Sequence, residues 1–331
     1  MAKHKKYKKR QSERYLKKLP IFWYIIVGLI IFLLALGIFL FFHKTAPSIY
    51  IFPENPKQGD TVFIRVKSDI GNIAGNFNDE KLIFYRKGNS NEWISFLGID
   101  ADQKPGDYKI SVNTSGVELT KDIKVALASF STATSVQAPS APQNGITQEK
   151  AVNNIVKSDN PALKKILNHF TQTPYFTTSF IFPLNTMEKT GFSFGKFIEF
   201  AKYKLQHFGV DLKAPEKTQI YAVNDGKVVA TLNLFNYGKT VIIDHGLNIF
   251  SLYLHLDEFK VSEGQIVHRG QVIGLSGDTG YSSAPHLHFS IRVGSSRVDP
   301  IVFIETTKKI DDKFILADIS NVFSNIIDSV K

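Results

Sequence analysis

Three short stretches near the C-terminal end concentrate the residues able to do chemistry. HFGVD sets His207 and Asp211 four apart, LYLHL carries His255, and SAPHLHFS sets His286 and His288 two apart. Imidazole and carboxylate are ligands for a borderline divalent ion, and a neutral imidazole also accepts a proton near neutral pH. The chain has no cysteine, so any metal must be held by His, Asp or Glu. Zinc in catalytic sites takes three such ligands and keeps a fourth position for water. HFGVD offers two ligands and HLH a third, which leaves two histidines to act on the water and on developing charge. Six of the nine histidines fall within the last 125 residues.

The elements around these residues decide whether they share a site. In a strand, residues i and i+2 point to one face, so His286 and His288 share a face and Leu287 turns the other way. Gly209 and Val210 separate His207 from Asp211 and LKAP follows, which favours a loop or strand over a helix. Alternation in LYLHL puts His255 on one face with Tyr253, opposite Leu252, Leu254 and Leu256. Each spacing alone also fits an ordinary strand or surface histidine. Only the three together close as a hydrolase site.

The order of the blocks from about 178 to 303 resembles the lysostaphin-type, or LytM-like, zinc endopeptidases. FGVDLKAPEKTQIYAVNDGKVV, YGKTVIIDHG, LYLHL, VSEGQIVHRGQVIGLSGDTGYSSAPHLHFSIR and VDP carry the likeness. The resemblance implies an antiparallel β peptidase domain and one Zn2+ held by His207, Asp211 and His288. It further implies His255 and His286 as catalytic residues, and as substrate the stem or cross-bridge peptides of peptidoglycan. Some such relatives have lost the ligands and only activate other wall hydrolases; here all five residues are present. A non-catalytic wall-binding protein and a peptidase of extracytoplasmic proteins are the alternatives. His245 matches a position that is not a ligand, and His268 matches none. Lys196 stands where the family commonly has an Arg, Lys239 where Asn is common, and Ala284 where Gly is common.

The rest of the chain sets compartment and fold class. The formal charge is +10, but residues 1–18 alone hold nine Lys/Arg and one Glu, which leaves about +2 for the remainder. That distribution excludes a uniformly basic nucleic-acid binder. Residues 20–42 carry no charge over 23 positions, and Trp23 and Tyr24 lie near one end. The stretch reads as a transmembrane signal anchor behind a basic cytoplasmic tail, residues 1–19. Partners are then the membrane, through this helix, and peptidoglycan peptides. The location is the cytoplasmic membrane, single-pass, with the C-terminal domains outside.

Residues 48–130 show six or seven short β-branched runs broken by Gly, Asn, Asp and Pro, the pattern of a small immunoglobulin-like sandwich serving as spacer or binding module. Residues 131–146 read as a linker and 147–177 as a helical connector. Within the connector Asn160 is placed as N-cap, Pro161 as the first helical residue and His169 at the surface. The peptidase domain is expected over 178–305, with a tail over 306–331. The expected fold class is mainly β.

Overall fold

The computed structural model describes residues 21–42, 46–69, 71–78, 80–114, 116–133, 148–189, 193–200 and 203–310. The basic tail, most of the expected linker and most of the C-terminal tail lie outside the described residues. The chain divides into two units, Met1–Ala46 and Pro47–Lys331. In the first, helix α1 (Ile21–Phe42) is uncharged over its 22 residues. Its side chains are described over 23–35 only. Among the described residues no helix is long and apolar enough to cross a membrane, so the expected span has no support from that stretch.

In the second unit, period-2 patterning builds two sheets from the first eight strands. One contains β1 (Ser48–Phe52), β2 (Thr61–Lys67), β5 (Tyr85–Arg86) and β6 (Glu92–Gly98); the other contains β3 (Ile73–Phe77), β4 (Glu80–Leu82), β7 (Gly106–Thr114) and β8 (Val117–Val125). Every pairing within them is antiparallel. Val62, Ile64 and Val66 of one sheet meet Ile110, Val112 and Ile123 of the other in a shared core. The opposite face of β2 and β6 is not wet. Phe63 and Phe96 enter the main core of the C-terminal half, where Phe96 lies 6.3 Å from both Phe176 and Phe303, ring centre to ring centre.

β9 (Thr132–Ala133) pairs in parallel with β10 (Phe197–Phe200), and β10 pairs with β11 (Tyr203–Gln206). Between β9 and β10 runs one helical rod: α2 (Gln148–Asn154), a π turn (Ile155–Asp159) and α3 (Asn160–Leu167). Asn160 is not an N-cap. Asp159 and Asn160 both have right-handed helical backbone and the helix passes through them. Pro161 lacks an N–H and clashes with the preceding turn, and a widened turn just before it accommodates both defects. Asp159 is buried and spends its carboxylate on the Asn236 backbone and side-chain N–H groups, at 2.8 and 2.9 Å. Leu163, with Ile166 and Leu167, packs on Phe250, Leu252 and Leu254.

The large antiparallel sheet follows the order β12 (Val210–Leu212), β19 (Leu287–Val293), β16 (Ile249–Phe259), β15 (Gly238–Gly246), β14 (Gly226–Leu234), β17 (Ile266–Val267). β18 (Val272–Ser276) pairs with β13 (Gln219–Tyr221) and β16, and β20 (Ser296–Val298) closes a hairpin with β19. Helix α4 (Pro300–Ile310) starts on Asp299, whose carboxylate accepts the Ile301 N–H at 2.9 Å, and it runs past residue 305.

Candidate metal and catalytic site

β12 and β19 are neighbours in register, with Asp211 directly opposite His288. Cross-strand partners project to one face, so the carboxylate and the imidazole meet above the sheet. His207 enters from the loop after β11. Its Nε2 lies 3.1 Å from Asp211 Oδ1 and 3.0 Å from His288 Nδ1, and His288 Nδ1 lies 2.9 Å from the same Oδ1. These three residues form the one group of potential metal ligands among the described residues. Four donors about 2.0–2.1 Å from a tetrahedral zinc stand about 3.3 Å apart, so the triangle has nearly the right edge.

The outer hydrogen bonds show that the donor atoms present lone pairs. His207 Nδ1 faces the Ser193 carbonyl at 3.2 Å and donates its proton there, leaving Nε2 bare. Ser290 donates its hydroxyl proton to the Phe208 carbonyl, so Ser290 Oγ accepts from His288 Nε2 at 3.1 Å and Nδ1 is left bare. Burial pushes His288 down to about 4. Burial would raise Asp211, yet protons placed on His207 and His288 outweigh it and hold the carboxyl well below the usual carboxylate range, so this oxygen draws positive charge into the triangle. Two lone-pair nitrogens and a carboxylate oxygen within 3.1 Å of one another repel unless a cation lies among them. The donor set fits a zinc-like ion, and its outer partners are of the kind that orient such ligands.

Gly209 makes the convergence possible. A Cβ there would stand 2.5 Å from Ser290 Oγ and would press on the His288 ring.

His286 precedes β19, bridged to Gly277, and Leu287 between the two histidines is fully buried. His286 Nδ1–H donates to the Ala284 carbonyl at 2.9 Å, so a bare Nε2 faces the site, 3.7 Å from Asp211 Oδ1. His255 arrives differently from its expected alternation. The β15–β16 register shifts between Lys239 and Val241, which oppose Leu256 and Tyr253. His255 is the extra residue of a bulge, with φ at 60°. Leu256 therefore joins Tyr253 in the main core, while Leu252 and Leu254 face the helical rod. The bulge aims His255 at the site, 4.9 Å from the His286 ring and 6.1 Å from that of His288. Its Nδ1–H donates to the Thr279 carbonyl at 2.8 Å. Burial, with His286 and His288 beside it, pushes it down to about 3.

All five expected residues thus meet at one place. His245 does not join them. It is fully buried between the Asp225 carbonyl and Ser251 Oγ, each at 2.7 Å. His268 and His169 are exposed; His268 faces Asp225 at 3.5 Å and His169 the Lys165 carbonyl. The supporting groups were not foreseen. Ser290 has a sequence signal, since it shares the face of His288 two residues on. Thr279, Ala284 and Ser193 act through backbone carbonyls, which no side-chain pattern reveals. Ala284 supplies that carbonyl whatever its side chain. Lys239 donates its backbone N–H to Thr279 Oγ1 at 2.9 Å, tying it to the loop that holds His255.

A family model, peptidase family M23, matches residues 205–300. The peptidoglycan DD-endopeptidase ShyA of Vibrio cholerae is 46% identical over 87 residues, 26% of this chain and 20% of the relative. The glycyl-glycine endopeptidase ALE-1 of Staphylococcus capitis is 37% identical over 107 residues, 30% of this chain and 29% of the relative. The chain thus spans less than a third of either curated relative. A solved Pseudomonas aeruginosa protein assigned to peptidase M23 superposes with a TM-score of 0.57 at 23% identity, covering 76% of this chain and 96% of that one. It shares the fold.

Proposed function

We propose, from the match of residues 205–300 to the peptidase family M23 model, a zinc-dependent endopeptidase that hydrolyses stem or cross-bridge peptides of peptidoglycan during wall remodelling. The observation that carries the proposal is the triangle of His207 Nε2, Asp211 Oδ1 and His288 Nδ1, with two more bare imidazole nitrogens beside it. The relatives named as peptidoglycan endopeptidases support the choice of substrate.

His207, Asp211 and His288 would hold the ion with about one net positive charge remaining. Zinc, when bound, supplies a Lewis acid and lowers the pKa of a water from 15.7 to roughly 7. His286 and His255 each have Nδ1–H committed to a carbonyl, so each accepts a proton at Nε2 and can donate only after accepting one. His286, beside Asp211, takes the proton of the attacking water and passes it to the leaving amine. His255, its ring centre 4.9 Å from that of His286, offers a second bare Nε2, and it meets the developing charge or the leaving amine as a donor only once it has taken up a proton.

The anchor belongs to the same proposal. The 23 uncharged residues behind nine Lys/Arg support a cytoplasmic-membrane anchor with residues 44–331 on the wall side, where peptidoglycan lies. Chromatography and mass analysis of sacculus fragments, wild type against His207→Ala, tests the activity. Identical fragment patterns refute it.

A further inference from the structure

The small sandwich reaches the metal site through one arginine. Arg297, in β20, donates from its backbone N–H and its Nε to Asp100 Oδ2 at 2.8 and 3.0 Å. Its Nη2 bridges Asp100 Oδ1 and Asp102 Oδ2. Both aspartates follow β6 of the sandwich. Burial would raise Asp100, yet its bonds to Arg297 and Asp102 outweigh that and hold it at about 2, while the bond to Asp100 raises Asp102. Fixed this way, the guanidinium lies on the Phe208 ring, 3.9 Å from carbon to ring centre. Phe208 sits between ligand His207 and Gly209. Its carbonyl accepts the Ser290 hydroxyl at 2.9 Å, and that hydroxyl holds His288 Nε2.

The carboxylates have a second task. Arg292 is the direct cross-strand partner of Arg297, so two guanidiniums start from one face of the sheet. Arg292 Nη1 is buried without a hydrogen-bond partner. Burial pushes Arg292 down to about 10; Tyr237 and, at longer range, Asp100 oppose that, and Arg297 adds to it. Without the sandwich carboxylates, the two arginines would repel and nothing would hold Arg297 over Phe208.

We propose that Asp100, Asp102 and Arg297 are positioning residues for the metal ligands: the sandwich clamps Arg297 onto Phe208, and Phe208 fixes the His207 approach and the outer bond of His288. The inference rests on the reading that His207, Asp211 and His288 bind zinc. It assigns the sandwich a part in building the site, beyond any spacing or wall-binding role.

Zinc affinity of the full-length chain in detergent, measured by competition with a chromogenic chelator, tests it. Arg297→Lys keeps the charge but loses the forked donors and the guanidinium over the ring. Phe208→Leu keeps an apolar side chain but loses the ring. Each is expected to weaken zinc binding about tenfold, the scale of outer-partner losses at metal sites. Because both cut the same path, the double variant is expected to fall no more than about twofold below the weaker single variant. Asp102→Asn removes the exposed carboxylate and is expected to cost about twofold to threefold. Thermal unfolding in excess chelator is followed in parallel. Variants that lose melting temperature but bind zinc as wild type does would overturn the clamp and leave the metal site standing. Additive losses in the double variant would also overturn it. A wild-type chain that binds no zinc would instead refute the metal reading itself, and the clamp with it.

Discussion

Gly209→Ala is the smallest change that tests the site geometry. The added Cβ would stand 2.5 Å from Ser290 Oγ and 2.8 Å from His288 Cε1, where ordinary contact begins at 3.4 Å. Something must move by about 1 Å. Ser290 is tied to the Phe208 carbonyl at 2.9 Å, and His288 Nδ1 is held 2.9 Å from Asp211 Oδ1. Backing the ring away therefore breaks either the outer bond or the ligand triangle. Loss of the outer bond weakens metal binding about 10- to 100-fold, and a misplacement of about 1 Å lowers turnover by about 100-fold. The overpacking adds about 1–3 kcal/mol of destabilisation. Chelator competition gives the affinity, sacculus digestion the turnover, and thermal unfolding the stability. A variant that binds zinc and digests sacculi like the wild type would show that the close approach of Gly209 to His288 does not shape the site.

His286→Ala is expected to keep zinc, because it removes no ligand, while lowering turnover by about 10²- to 10⁴-fold; full turnover with zinc bound would remove it as the base. Dialysis against a chelator is expected to abolish sacculus digestion and to lower the melting temperature, with zinc restoring both; digestion that survives verified metal removal would contradict a metal mechanism. Burial holds His245 at about 4 against an ordinary value of 6.5. The unfolded chain therefore binds the extra proton between those values, and stability, intact above pH 6.5, falls by up to about 3 kcal/mol as the pH drops toward 4. Denaturant titrations across that window should show a flatter slope for His245→Gln; an unchanged slope would assign acid sensitivity to other groups.

Sequence pattern and structure agree where a single strand periodicity holds. Leu287 turns inward between His286 and His288 because nothing interrupts the pleat, and HFGVD stays out of a helix because Gly209 must pass close to His288. LYLHL misled because an extra residue breaks the alternation. His255 takes a left-handed backbone that a non-glycine residue rarely adopts, and the hydrogen bonds that hold it there come from Tyr237 and Thr279, distant in sequence. Asn160 misled because Asn-Pro is a good helix start in isolation, whereas here the helix arrives already formed and Asp159 is drawn away to Asn236. Nor did any local pattern show that Asp100 and Asp102 meet a residue nearly 200 positions on. Pairing of that kind is a property of the packed chain.

The single apolar interior under β2 and β6 bears on how this chain can be rebuilt. A chain with a small sandwich ahead of a larger sheet invites treatment as two interchangeable modules. Here Phe96 touches Phe176 and Phe303 directly, and Phe63 and Ala101 lie in the same cluster as the β19 and α4 side chains. A chimera that transplants residues 148–310 alone would strip Phe63, Phe96 and Ala101 from that interior and leave Phe176 and Phe303 without their Phe96 neighbour. The transferable unit runs from residue 48 to 310.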